Sequence, residues 1–179
     1  MTTVTTAVTG ERADLLELLG ARRQFLRFAA RDLTDEQAAS APTASELSVG
    51  GLIKHVSRTE AAWVQFILGD GSSLAGGKDW SDWTEEDWAA RTAEFQLLPG
   101  ETLAGVLDDY ADVARRTDEL VATLPDLNVS QQLPQAPWFE PGARRSARAV
   151  FLHIACETAQ HAGHADLIRE TIDGAKSMG

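Results

Sequence analysis

A chain of 179 residues with 44% hydrophobic and 24% charged residues has the size and composition of one soluble globular domain. Its formal net charge of -11 and its scattered basic residues argue against a nucleic-acid partner, because phosphate backbones are bound mainly through Lys and Arg. The single cysteine excludes an internal disulfide, and no apolar run approaches the roughly 20 residues that span a bilayer. The amino terminus also lacks the pattern of a signal peptide. We therefore expect a cytoplasmic protein without a membrane partner.

The first two helical segments are predicted in the amino-terminal quarter of the chain. Apolar residues recur at helical spacing over residues 11–32, which predicts a long helix. Thr34 and Gln37 have the spacing of a capping box, so a short helical turn is predicted over residues 33–39.

The second long helix is predicted from Ser48, its expected N-cap, to Leu68. His55 lies in the middle of its apolar face. Gly50 and Gly51 occupy its first turn, where each lowers helix propensity by about 1 kcal/mol. Two such small residues indicate that another helix or a ligand approaches closely at this point.

The middle of the chain is predicted to be a long connection followed by a third long helix. Residues 70–83 are rich in Gly and Ser, and Thr84 then caps a short helix that ends near Phe95. The third long helix is predicted over residues 101–124, and Pro125 stops it.

The last third is predicted to contain an ordered loop and one long helix. Residues 125–144 are rich in proline, but Trp138 and Phe139 are large apolar side chains that favour burial, so an ordered loop is expected there. The last helix is predicted over residues 146–172. No strand is predicted.

Four long helices joined by long connections favour an all-α fold, a four-helix bundle with long crossover loops and one short extra helix. No internal repeat or domain boundary is apparent. The whole chain, residues 1–179, is therefore expected to form one domain with a core over about residues 11–174.

All four histidines lie on two of the predicted helices. His55 is on the second long helix, whereas His153, His161 and His164 share the last helix with Glu157. At about 100° per residue these last four positions fall within an arc of about 80°, so they form one polar stripe. Side chains four residues apart, about 6 Å at Cβ, can chelate one metal ion, as can pairs three apart.

A third ligand for such an ion has to come from another helix, and His55 is the histidine available there. Two histidines and a glutamate with an open position are typical of catalytic zinc sites. The same donors also suit nickel, iron or manganese. The alternative is a stripe of hydrogen-bonded or surface histidines without a metal.

The other positions of the last helix are predicted from its periodicity. Val150, Ile154, Leu167 and Ile168 are expected to face the core. Cys156 is expected to be a small buried apolar residue. The alternative for Cys156, a nucleophilic thiolate, requires a base or a cation beside it.

Three segments carry a resemblance to a known family: residues 48–56, 137–139 and 152–166. Together they resemble the DinB-like superfamily, in particular the branch similar to the N-terminal metal-binding domain of mycothiol-dependent maleylpyruvate isomerase. The resemblance extends over about residues 11–174. It implies a four-helix bundle with one metal ligand on the second helix and a pair spaced by four residues on the last helix.

Carried onto this sequence, the resemblance implies that His55, Glu157 and His161 are the metal ligands. His153 and His164 then either orient the ligands through hydrogen bonds or face the substrate. The isomerase has an additional carboxy-terminal domain that is expected to be absent here, so the resemblance implies the isomerase's particular reaction less directly than it implies the fold.

The resemblance further implies a small-molecule substrate and a metal-dependent enzyme that activates a low-molecular-weight thiol, such as mycothiol, for transfer or isomerisation. A bound metal would lower the pKa of that thiol. Two alternatives stay open: a hydrolase that uses a metal-bound water, and a non-catalytic bundle that binds a metal or a ligand. Because related bundles often pair, a homodimer is also expected.

Overall fold

The computed structural model describes residues 8–74, 78, 80–136 and 138–177, without the side chain of Trp80. The predictions for residues 1–7, for residues 75–77 and 79 of the connection, and for Pro137 lie outside the described residues.

Helices account for most of the described chain, and the all-α prediction is confirmed. In chain order they are α1 (Glu11–Ala29), α2 (Asp35–Ala39), α3 (Val49–Ile67), α4 (Glu85–Ala93), α5 (Leu103–Thr123) and α6 (Ala147–Asp173). Two 3₁₀ helices, Gly71–Leu74 and Trp80–Asp82, lie in the connection that follows α3. No helix among the described residues is long and apolar enough to cross a membrane.

The helix ends are set by local hydrogen bonds that the sequence predicts. Thr34 and Gln37 form the expected capping box at the start of α2. The hydroxyl of Ser48 accepts a hydrogen bond from the backbone N–H of Gly51, at 3.2 Å, which caps α3. These bonds satisfy N–H groups that have no partner within the helix.

The prediction that the chain contains no strand is wrong for one hairpin. Ser130–Gln132 (β1) and Arg144–Ser146 (β2) pair antiparallel, with Ser130 opposite Ser146. Each strand has three residues and is largely polar, so it carries no alternating apolar pattern by which it could be recognised.

The loop inside this hairpin is ordered by other residues than those predicted. Leu133 and Ala136 are buried, whereas Trp138 is 59% exposed and Phe139 is half-buried. The expected burial of Trp138 is therefore wrong: the indole lies on the surface of a pocket rather than in the core.

Four of the helices form the bundle. α1 packs against α5 and α6, and α3 also packs against α5 and α6, so α1 and α3 lie diagonally opposite each other. One apolar cluster joins the end of α1 to the beginnings of α3 and α5 and the end of α6, and a second cluster joins the opposite ends. α1 and α6 therefore run parallel to each other and antiparallel to α3 and α5.

This arrangement requires a crossover, because α3 and α5 are consecutive long helices that point the same way. Residues 68–102 return along the length of α3, about 28 Å at 1.5 Å per residue. The ammonium group of buried Lys54 fastens the end of the crossover to α3: it donates to the carbonyl oxygens of Ala93 and Gln96, at 3.4 and 3.1 Å, and to the carboxylate of Glu101 at 2.6 Å.

A buried ion pair crosses the interior between the two apolar clusters. Arg23 of α1 binds Glu60 of α3, and both side chains are almost fully buried. Arg23 also donates to Asp118 of α5 at 2.7 Å. One guanidinium thus connects three helices, and its donors and two carboxylates satisfy each other, as buried charges require.

The outer face of α6 differs from its prediction at two positions. Cys156 is exposed, and Leu167 is 63% exposed, whereas Val150, Ile154 and Ile168 are buried as expected. Consecutive residues on a helix are rotated by about 100°, which turns Leu167 away from the core that Ile168 faces.

The two glycines at the start of α3 are explained by the crossover. A Cβ atom on Gly51 would lie 1.7 Å from the carbonyl oxygen of Phe95, and one on Gly50 would lie 2.5 Å from Cδ1 of Leu97. The close approach that Gly50 and Gly51 indicate is therefore that of the crossover segment.

Replacing Gly51 by alanine should destabilise the protein by about 1–3 kcal/mol, because the added methyl group collides with rigid backbone and the gain in helix propensity is smaller. Gly20 is the matched control: it is also within a helix, but no heavy atom lies within 4 Å of its added Cβ. Gly20→Ala should stabilise by about 0.5–1 kcal/mol. Denaturant unfolding measures both changes, and a neutral Gly51→Ala would contradict this packing.

Candidate metal centre

The structure brings together the three side chains that the sequence predicts as metal ligands. His55 extends from α3, and Glu157 and His161 extend from successive turns of α6. One donor atom from each lies within 4.8 Å of the others. Glu157 Oε1 is 3.3 Å from His55 Nε2 and 3.2 Å from His161 Nε2.

These spacings fit a divalent metal ion. In a tetrahedral zinc site with bonds of about 2.0–2.1 Å, neighbouring donor atoms lie about 3.3–3.4 Å apart. The two distances from the Glu157 oxygen are close to that value. Imidazole nitrogen and carboxylate oxygen are also the donors that zinc and other transition metals take from proteins.

Burial and hydrogen bonding favour the protonation states that a metal needs. His55 is 2% exposed, and this burial lowers its pKa, so its imidazole is neutral near pH 7. Hydrogen bonds from His161 and then His55 hold the pKa of Glu157 well below its usual range, despite its partial burial. A carboxylate on Glu157 and a neutral imidazole on His55 are the states in which these two groups can bind a cation.

Phe95 of the crossover covers the site. Its ring stacks on His55 with centroids 3.9 Å apart and an angle of 21°, and the ring of His161 stands edge-on to His55 at 4.9 Å. Sequence reasoning did not identify Phe95. The available signal was the pair Gly50 and Gly51. These glycines predict that some part of the protein packs closely against the start of α3, but they do not identify which segment does so.

The two remaining histidines of the stripe have different surroundings. His164 Nδ1 lies 3.4 Å from His161 Nδ1, on the side of that ring away from Glu157, so one of the two rings donates to the other. His153 instead stands edge-on to Trp63 of α3, with centroids 4.8 Å apart. The stripe thus divides into one histidine that touches a candidate ligand and one that does not.

A pocket of about 610 Å³ opens beside the trio. Of the three candidate ligands, Glu157 lines it, together with His153. Aromatic side chains from α3 and from the loops form much of its wall, and α4 contributes polar groups; these residues are Trp63, Trp83, Trp138, Phe139, Asp87, Arg91 and Glu94. The trio therefore lies at the edge of a space large enough for a small molecule.

The model of the family described as mycothiol-S-transferase matches residues 14–174. No curated protein matches the chain significantly.

One similar solved structure is titled "Crystal structure of the conserved protein of locus from Enterococcus faecalis". It superimposes with a TM-score of 0.67 at 14% identity, over 94% of this chain and 100% of that one. At this identity the likeness shows that the two proteins share a fold.

Removing a candidate ligand should abolish metal binding. We expect His55→Ala and His161→Ala to lose stoichiometric Zn²⁺, because two remaining donors do not hold the ion. His164→Ala should weaken affinity about 10–100-fold, as the loss of a group that orients a ligand does. His153→Ala is the matched control and should bind Zn²⁺ like the wild type.

Calorimetric titration with Zn²⁺ and elemental analysis measure these affinities, and circular dichroism verifies that each variant is folded. Full metal content in both His55→Ala and His161→Ala would refute the assignment of these ligands.

Proposed function

Because the chain belongs to the mycothiol-S-transferase family, a DinB-like family, we propose that it is a metal-dependent enzyme that activates a low-molecular-weight thiol and transfers it to an electrophilic substrate. The single observation that carries the proposal is the convergence of His55, Glu157 and His161 beside a pocket, in a chain matched to that family over residues 14–174.

In this proposal His55, Glu157 and His161 hold one divalent ion, with zinc preferred and nickel, iron or manganese as alternatives. The bound ion supplies a positive charge that lowers the pKa of a thiol beside it, so that a thiolate forms near neutral pH. Three protein residues would hold the ion, which is the number of protein ligands found in catalytic zinc sites.

Residues of the protein itself shield the proposed metal site from water and hold its surroundings in place. Phe95 covers His55 from the crossover side, and Lys54 holds the crossover in place through its three contacts. A site from which water is excluded strengthens each electrostatic interaction inside it. Glu157 is the ligand that borders the pocket, which makes the open side of the site the side that a substrate enters.

The size of the pocket supports a thiol larger than cysteine. Next to the pocket of about 610 Å³ lies a cleft of about 780 Å³, and the two share Pro134, Trp138 and Phe139. The cleft adds the amide side chains of Gln132 and Gln135, which can bind hydroxyl or amide groups. A thiol such as mycothiol, with a large polar body, suits this combination better than a compact thiol does.

The cytoplasmic location and the homodimer stay predictions. Light scattering of the purified protein measures the oligomeric state directly, independently of any activity.

The metal-loaded protein should conjugate mycothiol to a chromogenic electrophile such as a haloarene, and glutathione or cysteine should react far more slowly. Loss of a group that only orients a metal ligand typically lowers activity by roughly 10–100-fold. Glu157→Gln should lower turnover by more than this, because it replaces one of the proposed ligands themselves. Gly20→Ala, far from the pocket, is the control that should keep full activity.

Two results would contradict the proposal. One is that the metal-loaded protein fails to bind mycothiol in a calorimetric titration. The other is ester or amide hydrolysis in the absence of thiol, which would indicate a hydrolase that uses a metal-bound water.

A further inference from the structure

His153 lines the pocket beside Glu157, where its side chain would contact a substrate group bound next to that carboxylate. It precedes Glu157 by one helical turn on α6, and both side chains line the same pocket. Residues at this spacing have Cβ atoms about 6 Å apart on one helix face. A group bound beside Glu157 is therefore within reach of the His153 ring.

The ring of His153 packs against a neighbouring aromatic side chain, and its two nitrogens are available to a ligand. Its edge-on contact with Trp63 fixes the ring against α3. Among the described residues, no hydrogen bond or ion pair from the protein engages either of its ring nitrogens, and neither nitrogen is fully buried. A half-buried neutral imidazole has one donor and one acceptor nitrogen that can bind a molecule in the pocket.

Arg145 of β2 and Glu157 of the same helix act electrostatically on His153, and the pocket that it lines also contains Arg58, Lys78, Asp87, Arg91 and Glu94. Burial lowers the pKa of His153, the positive charge of Arg145 lowers it further, and Glu157 opposes them. The imidazole is therefore neutral near pH 7 and has a lone pair available.

His164 provides the contrast within the same stripe. Its Nδ1 atom is 3.4 Å from Nδ1 of His161, and it does not line the pocket. His164 serves to orient a ligand of the metal site, whereas His153 has no such contact.

We propose that His153 accepts the proton of the thiol that binds in this pocket, an inference that rests on the thiol-transfer function proposed above. The S–H bond breaks, the proton moves to a ring nitrogen of His153, and sulfur keeps the electron pair. The sulfur then forms a bond to the electrophilic carbon while the leaving group departs with its bonding electrons. The proton on His153 passes to that leaving group, which restores the neutral imidazole.

Calorimetry of mycothiol binding in buffers of different ionisation enthalpy tests the inference without turnover. The metal-loaded wild type at pH 7 should release few protons to the buffer, because the negative charge of the bound thiolate raises the pKa of the neighbouring His153 above its value in the empty pocket and keeps the proton on the ring. His153→Gln cannot retain it, so this variant should release close to one proton for each thiol bound. Gly20→Ala, which changes no residue of the pocket or of the candidate metal site, is the control and should behave like the wild type.

A kinetic measurement adds a second readout. His153→Gln should lower kcat about 10²–10⁴-fold, the usual contribution of a proton acceptor, with metal content unchanged. His164→Gln should alter metal affinity instead. If His153→Gln does not fold, His153→Asn takes its place.

The outcomes separate this inference from the proposed function. Wild-type protein that binds mycothiol but releases a full proton to the buffer would overturn the role of His153 and leave thiol transfer intact. A His153→Gln variant with the wild-type proton count would do the same. Wild-type protein that binds no thiol would overturn the proposed function itself, and the role of His153 with it.

Discussion

Two imidazoles and a carboxylate share a largely buried space between α3 and α6, and the removal of these groups from water costs free energy unless they find partners. Their contacts with one another offset part of that cost. No Lys or Arg among the described residues forms an ion pair with Glu157, so the protein itself brings no cation to this carboxylate. A divalent ion between the three donors would supply the missing positive charge.

A second buried polar cluster in the same bundle shows how a buried group of charges differs when it includes its own cation. Arg23 faces Glu60 and Asp118, so this cluster contains its own cation as well as its anions. It needs nothing from outside and acts as a connection between α1, α3 and α5. The trio of His55, Glu157 and His161 has donor atoms for a cation, and its described ion pairs include no Lys or Arg, which is the composition that a metal site would require.

The crossover that the bundle topology requires also closes the site. Because α3 and α5 are parallel, the chain returns along α3 and brings Phe95 onto His55. Gly50 and Gly51 leave room for it, and Lys54 fastens it. The crossover, the Phe95 ring that covers His55, and the candidate metal site thus depend on one another. The open side, where Glu157 and His153 meet the pocket, remains the side where a substrate can react.

The sequence by itself determined the helices, their caps and the polar stripe, because these features arise from hydrogen bonds and periodicity between residues a few positions apart. Spacing alone placed Glu157 four residues before His161 on one helix face. That His55 is the third member was inferred by elimination and from a family resemblance, because nothing local links residues 102 positions apart.

Only the tertiary structure decided how distant segments meet. It brought His55 to Glu157, stacked Phe95 on His55, and gave His153 and His164 different surroundings. It also paired two polar strands, and it exposed Trp138 and Cys156 where composition favoured burial. The physical reason is that a side chain's exposure depends on which neighbours pack over it, and those neighbours are set by long-range packing that no local pattern encodes.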